Sequence, residues 1–203
     1  MLVVVGGHSR NIGKTSLVEG LIRNFRDRRW TAVKITQYGH GGCSNHDEIC
    51  GCEAGPGEPF ALSEEYEPGK TDSARFLAAG ASRSFWLRTP AGELPRAART
   101  IQKILTQSEN VIVESNSVIE LVRPDVFLML MDFGCQDFKP TSLRFMDRAD
   151  AFVIVDRGIN VPLWEDVARG RWDNQPRFLV TPPHYVTPAV ADFVRGRLSA
   201  SAL

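Results

Sequence analysis

The chain has 203 residues, 43% of them hydrophobic, and its 24 Lys plus Arg balance 24 Asp plus Glu to a formal net charge of zero. That length suits a single domain over residues 1–203 with one well-buried core, and the even charge with no long basic run argues against nucleic acid as a partner. No run approaches 18 consecutive apolar residues and the opening MLVVV lacks a basic flank, so no membrane span or secretory signal is expected and the compartment expected is the cytoplasm.

Val3 to Leu17, VVVGGHSRNIGKTSL, reads as a short apolar strand, a glycine-bounded loop and the start of a helix. That order suits a phosphate-binding loop: the loop turns backbone N–H groups inward, and the helix start adds unsatisfied donors and a positive dipole end. Lys14 is the candidate for the β and γ phosphates and Thr15 for the accompanying magnesium, with Gly7, Asn11, Ile12, Gly13 and Ser16 completing the nucleotide-binding set. Five residues, His8 to Ile12, separate the two glycines, one more than the strict pattern allows.

Beyond the loop, Leu17, Val18, Leu21, Ile22 and Phe25 recur at helical spacing, and Thr31 to Ile35 reads as a second strand. Lys34 near its end can face a phosphate or an anionic substrate, or simply solvent. Residues 36–71, rich in Gly, Cys, His, Glu and Pro, follow neither a strand nor a helix period and read as a long insertion. Thr71 caps a short helix that Gly80 ends, and Ser84 to Leu87 is the next strand. Pro95 opens a helix with Ala98, Ile101, Ile104 and Leu105 on one face. Strands follow at Val111 to Val113, Val126 to Met131, Ala151 to Val155 and Phe178 to Val180, and Thr187 with Pro188 starts a last helix. Alternating strand and helix predicts an α/β fold of three layers: a mostly parallel sheet flanked by helices, as in P-loop NTPases.

Glu114, at the end of an apolar strand, is the candidate carboxylate for holding magnesium or orienting a nucleophile. Asp72 and Asp47 are further carboxylates expected at the same edge. In the insertion, Cys43, Cys50 and Cys52 with His40 and His46 match no common zinc spacing, although thiolate and imidazole suit zinc or another transition metal. Free thiols or a redox pair are the alternatives, and Cys135 is a candidate fourth ligand or a lone buried thiol. The base-reading Asn-Lys-x-Asp is missing; VIVDRGIN stands in its place, with Asp156 near the corresponding position.

The segments GGHSRNIGKTSLVEGLI, AVKITQYGHG, GKTDSARFLAAGA and NVIVES together resemble successive motifs of the molybdopterin-guanine dinucleotide biosynthesis adaptor (B protein) family, over about the first 120 residues. That family is similar to a wider P-loop class that includes dethiobiotin synthetase, with the same loop spacing, and the urease and hydrogenase maturation GTPases. The resemblance implies a homodimeric, GTP-binding protein with weak hydrolysis that assists nucleotide attachment to molybdopterin, in partnership with a molybdenum-cofactor nucleotidyltransferase. By position it gives Lys14 and Thr15 to phosphates and Mg2+, Lys34 to the strand before a switch-like loop, Asp72 to the acidic position before the Ala-Gly-Ala helix end, and Glu114 to the strand-end carboxylate. The chain departs from the family at Glu114-Ser115, where Glu-Gly is usual, at Ile35-Thr36-Gln37, where His-rich sequence is usual, and in its cysteine-bearing insertion. Three functions follow as expectations: a GTP-binding adaptor or weak GTPase, a metallochaperone that serves a metalloenzyme client through Cys43, His46, Cys50 and Cys52, and an ATP-dependent ligase or kinase. Lys14, Glu114 and Asp72 are the candidate catalytic groups.

Overall fold

The computed structural model describes residues 1–39, 58–164, 167 and 169–200. Eight strands form one sheet: β1 (Leu2–Gly7), β2 (Trp30–Tyr38), β3 (Ala61–Glu65), β4 (Arg83–Pro90), β5 (Asn110–Glu114), β6 (Val126–Asp132), β7 (Ala151–Val155) and β8 (Arg177–Val180). Their order is β3-β4-β2-β5-β1-β6-β7-β8. All neighbours run parallel except β3, which pairs antiparallel with β4 at the edge.

Helices cover both faces. α1 (Lys14–Asn24), α2 (Asp72–Ala79) and α5 (Pro188–Ala200) pack Leu17, Leu21, Phe76, Val190 and Val194 onto Val3, Val5, Ile112, Leu128 and Val153. On the other face α3 (Ala98–Thr106) and α4 (Pro140–Phe145) bring Ile101, Ile104 and Phe145 to Val4, Val33, Leu87, Val113 and Met129. A strand covered on both faces has no side left for water, which is why LVVV in β1 and VFLMLM in β6 are apolar and buried without alternation. α2 begins where Thr71 Oγ1 accepts the Ala74 N–H at 3.2 Å and ends at Gly80, whose N–H donates to Leu77 O at 2.9 Å.

The chain leaves β1 through α1 towards β2 on one side, while β6 flanks β1 on the other. The carboxyl end of β1 is therefore a topological switch point, where crevices open in parallel sheets. Among the described residues no helix is long and apolar enough to cross a membrane.

The structure departs from the sequence expectation in three places. β2 runs past Ile35 to Tyr38, and ALSEE within the expected 36–71 insertion forms the edge strand β3. An edge strand with one neighbour needs few large apolar residues, and here the pairing is reinforced by Arg83, which grips Glu64 with bonds of 2.7 and 3.1 Å. α4, six residues opened by Pro140, is too short to show a helical period. Pro95 lies in a 3-10 turn, Leu94–Ala97, that precedes α3.

Candidate functional site

β1 ends at Gly7, and the loop from His8 reaches the first turn of α1 at Gly13, which takes φ +103°. That left-handed conformation costs an L side chain free energy, and a Cβ there would sit 2.3 Å from the Tyr185 ring, so the position requires glycine. Asn11 also has positive φ, at 55°, a conformation asparagine tolerates better than most residues. The first backbone bond of α1 runs from Leu17 N–H to Gly13 O, so the amides ahead of Leu17 stand outside the helical ladder and are available to an anion. Lys14 folds back over the loop. Its ammonium donates to Ser9 O at 2.5 Å, and its stem lies so near Gly7 that a Cβ there would meet Cδ at 2.9 Å. Burial, and then the neighbouring Lys139 ammonium, lower the Lys14 pKa from 10.5 to about 8.

Next to this loop three elements deliver one polar cluster. Thr15 Oγ1, in the first turn of α1, donates to Glu114 Oε2 at 2.9 Å. Lys34 on β2 lies opposite Glu114 on β5 in the strand register, and its ammonium reaches Glu114 Oε1 at 2.5 Å. The same ammonium is 2.8 Å from Asp72 Oδ2, at the start of α2. Burial alone would lower the Lys34 pKa, but Glu114 and Asp72 outweigh it and raise it. Burial alone would raise Asp72, but the charge and hydrogen bond of Lys34, with a further bond from Thr15, bring it below the ordinary carboxylate value. Thr15, Glu114 and Asp72 thus present one hydroxyl and two carboxylates. That all-oxygen set fits Mg2+, which takes few protein ligands and completes its shell with water and phosphate oxygens.

The loop is held from behind by residues that carry no motif. Asn116 accepts the Gly7 N–H at 2.8 Å and returns its own N–H groups to Gly7 O at 2.9 Å and Ser142 Oγ at 2.7 Å. Ser142 in turn donates to Gly7 O at 2.7 Å. His8 is fully buried between Phe138 and Trp164, each ring centroid 4.9 Å away. Its Nε2 accepts the Asp132 N–H at 3.0 Å, which leaves the proton on Nδ1 to donate to Asp137 O at 3.1 Å. Burial is the main reason that its pKa falls from 6.5 to about 4, against the opposing pull of the Asp137 carbonyl and the Asp132 charge. Ser9 Oγ donates to Asp137 Oδ2 at 2.7 Å, and Lys139 N–H to His8 O at 2.8 Å. The segment after β6 is therefore bonded along the loop between Gly7 and Gly13. The Lys139 ammonium is itself lowered in pKa, by burial and then by Arg10 and Lys34.

No family model and no curated protein matches the chain. Among solved structures, it is similar to the "apo" form of LpxK from Aquifex aeolicus in complex with ATP, with 17% identity and a TM-score of 0.48 over 88% of this chain and 53% of that one. It is also similar to HypB from Helicobacter pylori in complex with nickel, with 15% identity and a TM-score of 0.48 over 98% of this chain and 86% of that one. The chain spans about half the length of LpxK.

The remaining candidates are scattered. Ile12 points into the core beside Val3, Val5 and Leu17, so its side chain supports the loop from below. Ser16 Oγ is 3.4 Å from Arg75, whose guanidinium is mainly engaged by Glu19 at 2.8 and 3.2 Å. Asp156 is exposed and accepts the Gly158 N–H at 2.8 Å in a local turn. Cys135 is a free thiol, half-buried against the apolar layer under α1 and α5. His40, Cys43, His46, Asp47, Cys50 and Cys52 lie outside the described residues. Among the described residues no three His, Cys, Asp or Glu side chains converge on a metal position. Sequence reasoning missed Asn116, Ser142, Lys139 and Arg75. Only Asn116, two residues past Glu114, had a position that could have drawn attention.

Proposed function

We propose that the chain is a nucleoside triphosphate-binding P-loop protein, a GTP-binding adaptor or slow GTPase, that takes its nucleotide at the carboxyl end of β1 with Mg2+. The observation that supports this most is the bond from Thr15 to Glu114 beside Lys14. One loop presents an ammonium for phosphate, and its next residue shares a hydrogen bond with a buried carboxylate suited to the metal. Bound there, Mg2+ would neutralise phosphate charge and fix the geometry of the chain of oxygens. Thr15, Glu114 and Asp72 would hold it, the amides of Gly13 to Ser16 would receive the β phosphate, and Lys14 would bridge towards the γ phosphate. Slow turnover is expected, because Arg75, which flanks the site on α2, is held by Glu19 and is not poised as a finger.

Calorimetric titration of GTP and ATP with Mg2+ tests the reading on the wild-type chain and on Lys14→Ala. Losing a charge-assisted bond to phosphate of about 2–3 kcal/mol weakens binding roughly 30- to 150-fold. Affinity unchanged within twofold in Lys14→Ala, or no binding by the wild type, removes the reading. The finer role, assisting nucleotide attachment to molybdopterin as a homodimer, rests on the sequence motifs around Gly7, Lys34, Asp72 and Glu114. It predicts that the protein raises the yield of a molybdenum-cofactor nucleotidyltransferase only when Lys14 is intact.

A metallochaperone function is the second reading, favoured by the path of β2. That strand leaves the sheet at Tyr38 on the edge that carries Lys14 and Glu114, and the chain then runs directly into the Cys43, His46, Cys50 and Cys52 segment. Elemental analysis of the protein purified without added metal, beside Cys50→Ser, decides it: stoichiometric zinc or nickel lost in the variant supports it, and metal-free protein in both cases removes it.

A further inference from the structure

The Lys34 ammonium sits where the proposed magnesium shell would close. It is 2.5 Å from Glu114 Oε1 and 2.8 Å from Asp72 Oδ2, and the other Glu114 oxygen is held by Thr15. The Glu114 side chain is 1% exposed and that of Lys34 16%, so water contributes little to screening either charge. Two carboxylates this close repel each other unless a cation lies between them, and the chain supplies one. A divalent ion that joined while the ammonium stayed would set two cations against the same two carboxylates at short range, where they repel each other.

We infer that Lys34 is a built-in stand-in for the metal, which keeps a divalent cation from binding ahead of nucleotide and yields its place only when a polyphosphate arrives. The inference rests on the nucleotide reading above and adds an order of binding to it. The exchange puts a double positive charge beside Glu114 and Asp72 in place of a single one, and the polyphosphate brings the negative charge that the displaced ammonium then meets. The metal takes over Glu114 and Asp72 while the lysine moves to the oxygens of the incoming phosphate chain, next to Lys14. The backbone need not move, because Lys34 is fixed opposite Glu114 by the ladder between β2 and β5 and only its flexible four-carbon stem has to turn. The arrangement favours metal and nucleotide entering together over metal binding alone.

Mn2+ titration of the nucleotide-free full chain, following free Mn2+ by electron paramagnetic resonance, tests this. Wild type and Lys34→Arg, which keeps the charge, should bind Mn2+ at least tenfold more weakly than Lys34→Met. Adding Glu114→Gln to Lys34→Met should abolish the gain, which places the new affinity at this site rather than in the cysteine-bearing segment. Equal Mn2+ affinity in folded wild type and Lys34→Met overturns the inference. A wild-type measurement stands beside it in case Lys34→Met does not fold: the 15Nζ resonance of Lys34 should keep its position when Mg2+ is added alone and shift when Mg2+ and nucleotide are added together. A shift with Mg2+ alone, or no shift with both present at nucleotide saturation, equally overturns it. The Mn2+ arms contain no nucleotide, so a failure of nucleotide binding would be seen separately.

Discussion

His8 makes the stability of the fold dependent on pH, and the size of the effect follows from its surroundings. The folded chain holds the imidazole neutral, with Nε2 committed to the Asp132 N–H, and its pKa falls from 6.5 to about 4. Between those two values the unfolded chain takes up a proton that the folded chain refuses. Stability therefore falls as pH is lowered, with a slope of at most about 1.4 kcal/mol per pH unit. The gap corresponds to about 3 kcal/mol in all, present above pH 6.5 and gone once pH drops below about 4. His8→Phe keeps a ring between Phe138 and Trp164 but has nothing to titrate. It leaves the Asp132 N–H and the Asp137 carbonyl without this partner, which costs about 1–3 kcal/mol near neutral pH. Urea unfolding of both proteins across this range isolates the histidine, because the carboxylates they share cancel in the difference. The variant is expected to be the less stable protein at neutral pH, and acidification should move the difference by about 3 kcal/mol in its favour, enough to bring the two level or reverse their order. A difference that stays constant with pH, or an imidazole resonance that titrates near 6.5, refutes the reasoning.

Gly13→Ala forces a side chain into φ +103° and into the Tyr185 ring, and should cost about 2 kcal/mol or more in thermal unfolding, of which Tyr185→Ala recovers only the steric part. In the free chain Lys14 loses its proton near pH 8, and a bound polyphosphate raises that value. Nucleotide affinity should hold below pH 8 and fall above it, by up to about tenfold per pH unit. Calorimetry in buffers of different ionisation enthalpy would register the accompanying proton uptake, and Lys14→Arg should flatten the profile. Asn116→Ala removes the side-chain acceptor of the Gly7 N–H and one of the two donors to its C=O, leaving Ser142 on the carbonyl; a loss of about 1–3 kcal/mol and faster amide exchange at Gly7 are expected, and unchanged exchange would contradict the bracing role.

Local order was written in the chain. A fully apolar run, a glycine, and Gly13-Lys14-Thr15 at the head of an amphipathic segment dictate strand, turn and helix through contacts among near neighbours, so they could be read without knowing the rest. The same holds for the cap at Thr71 and for the continuous apolar strands β6 and β7, which announce burial on both faces. The edge strand β3 escaped because one-sided pairing leaves too weak a pattern. The meeting of Lys34 with Glu114, 80 positions apart, and of His8 with Asp132, 124 apart, belongs to the tertiary structure alone. Polar side chains have no periodicity that foretells such partners. Strand order and register bring them together, and only the folded sheet fixes which lysine faces which carboxylate and at what distance.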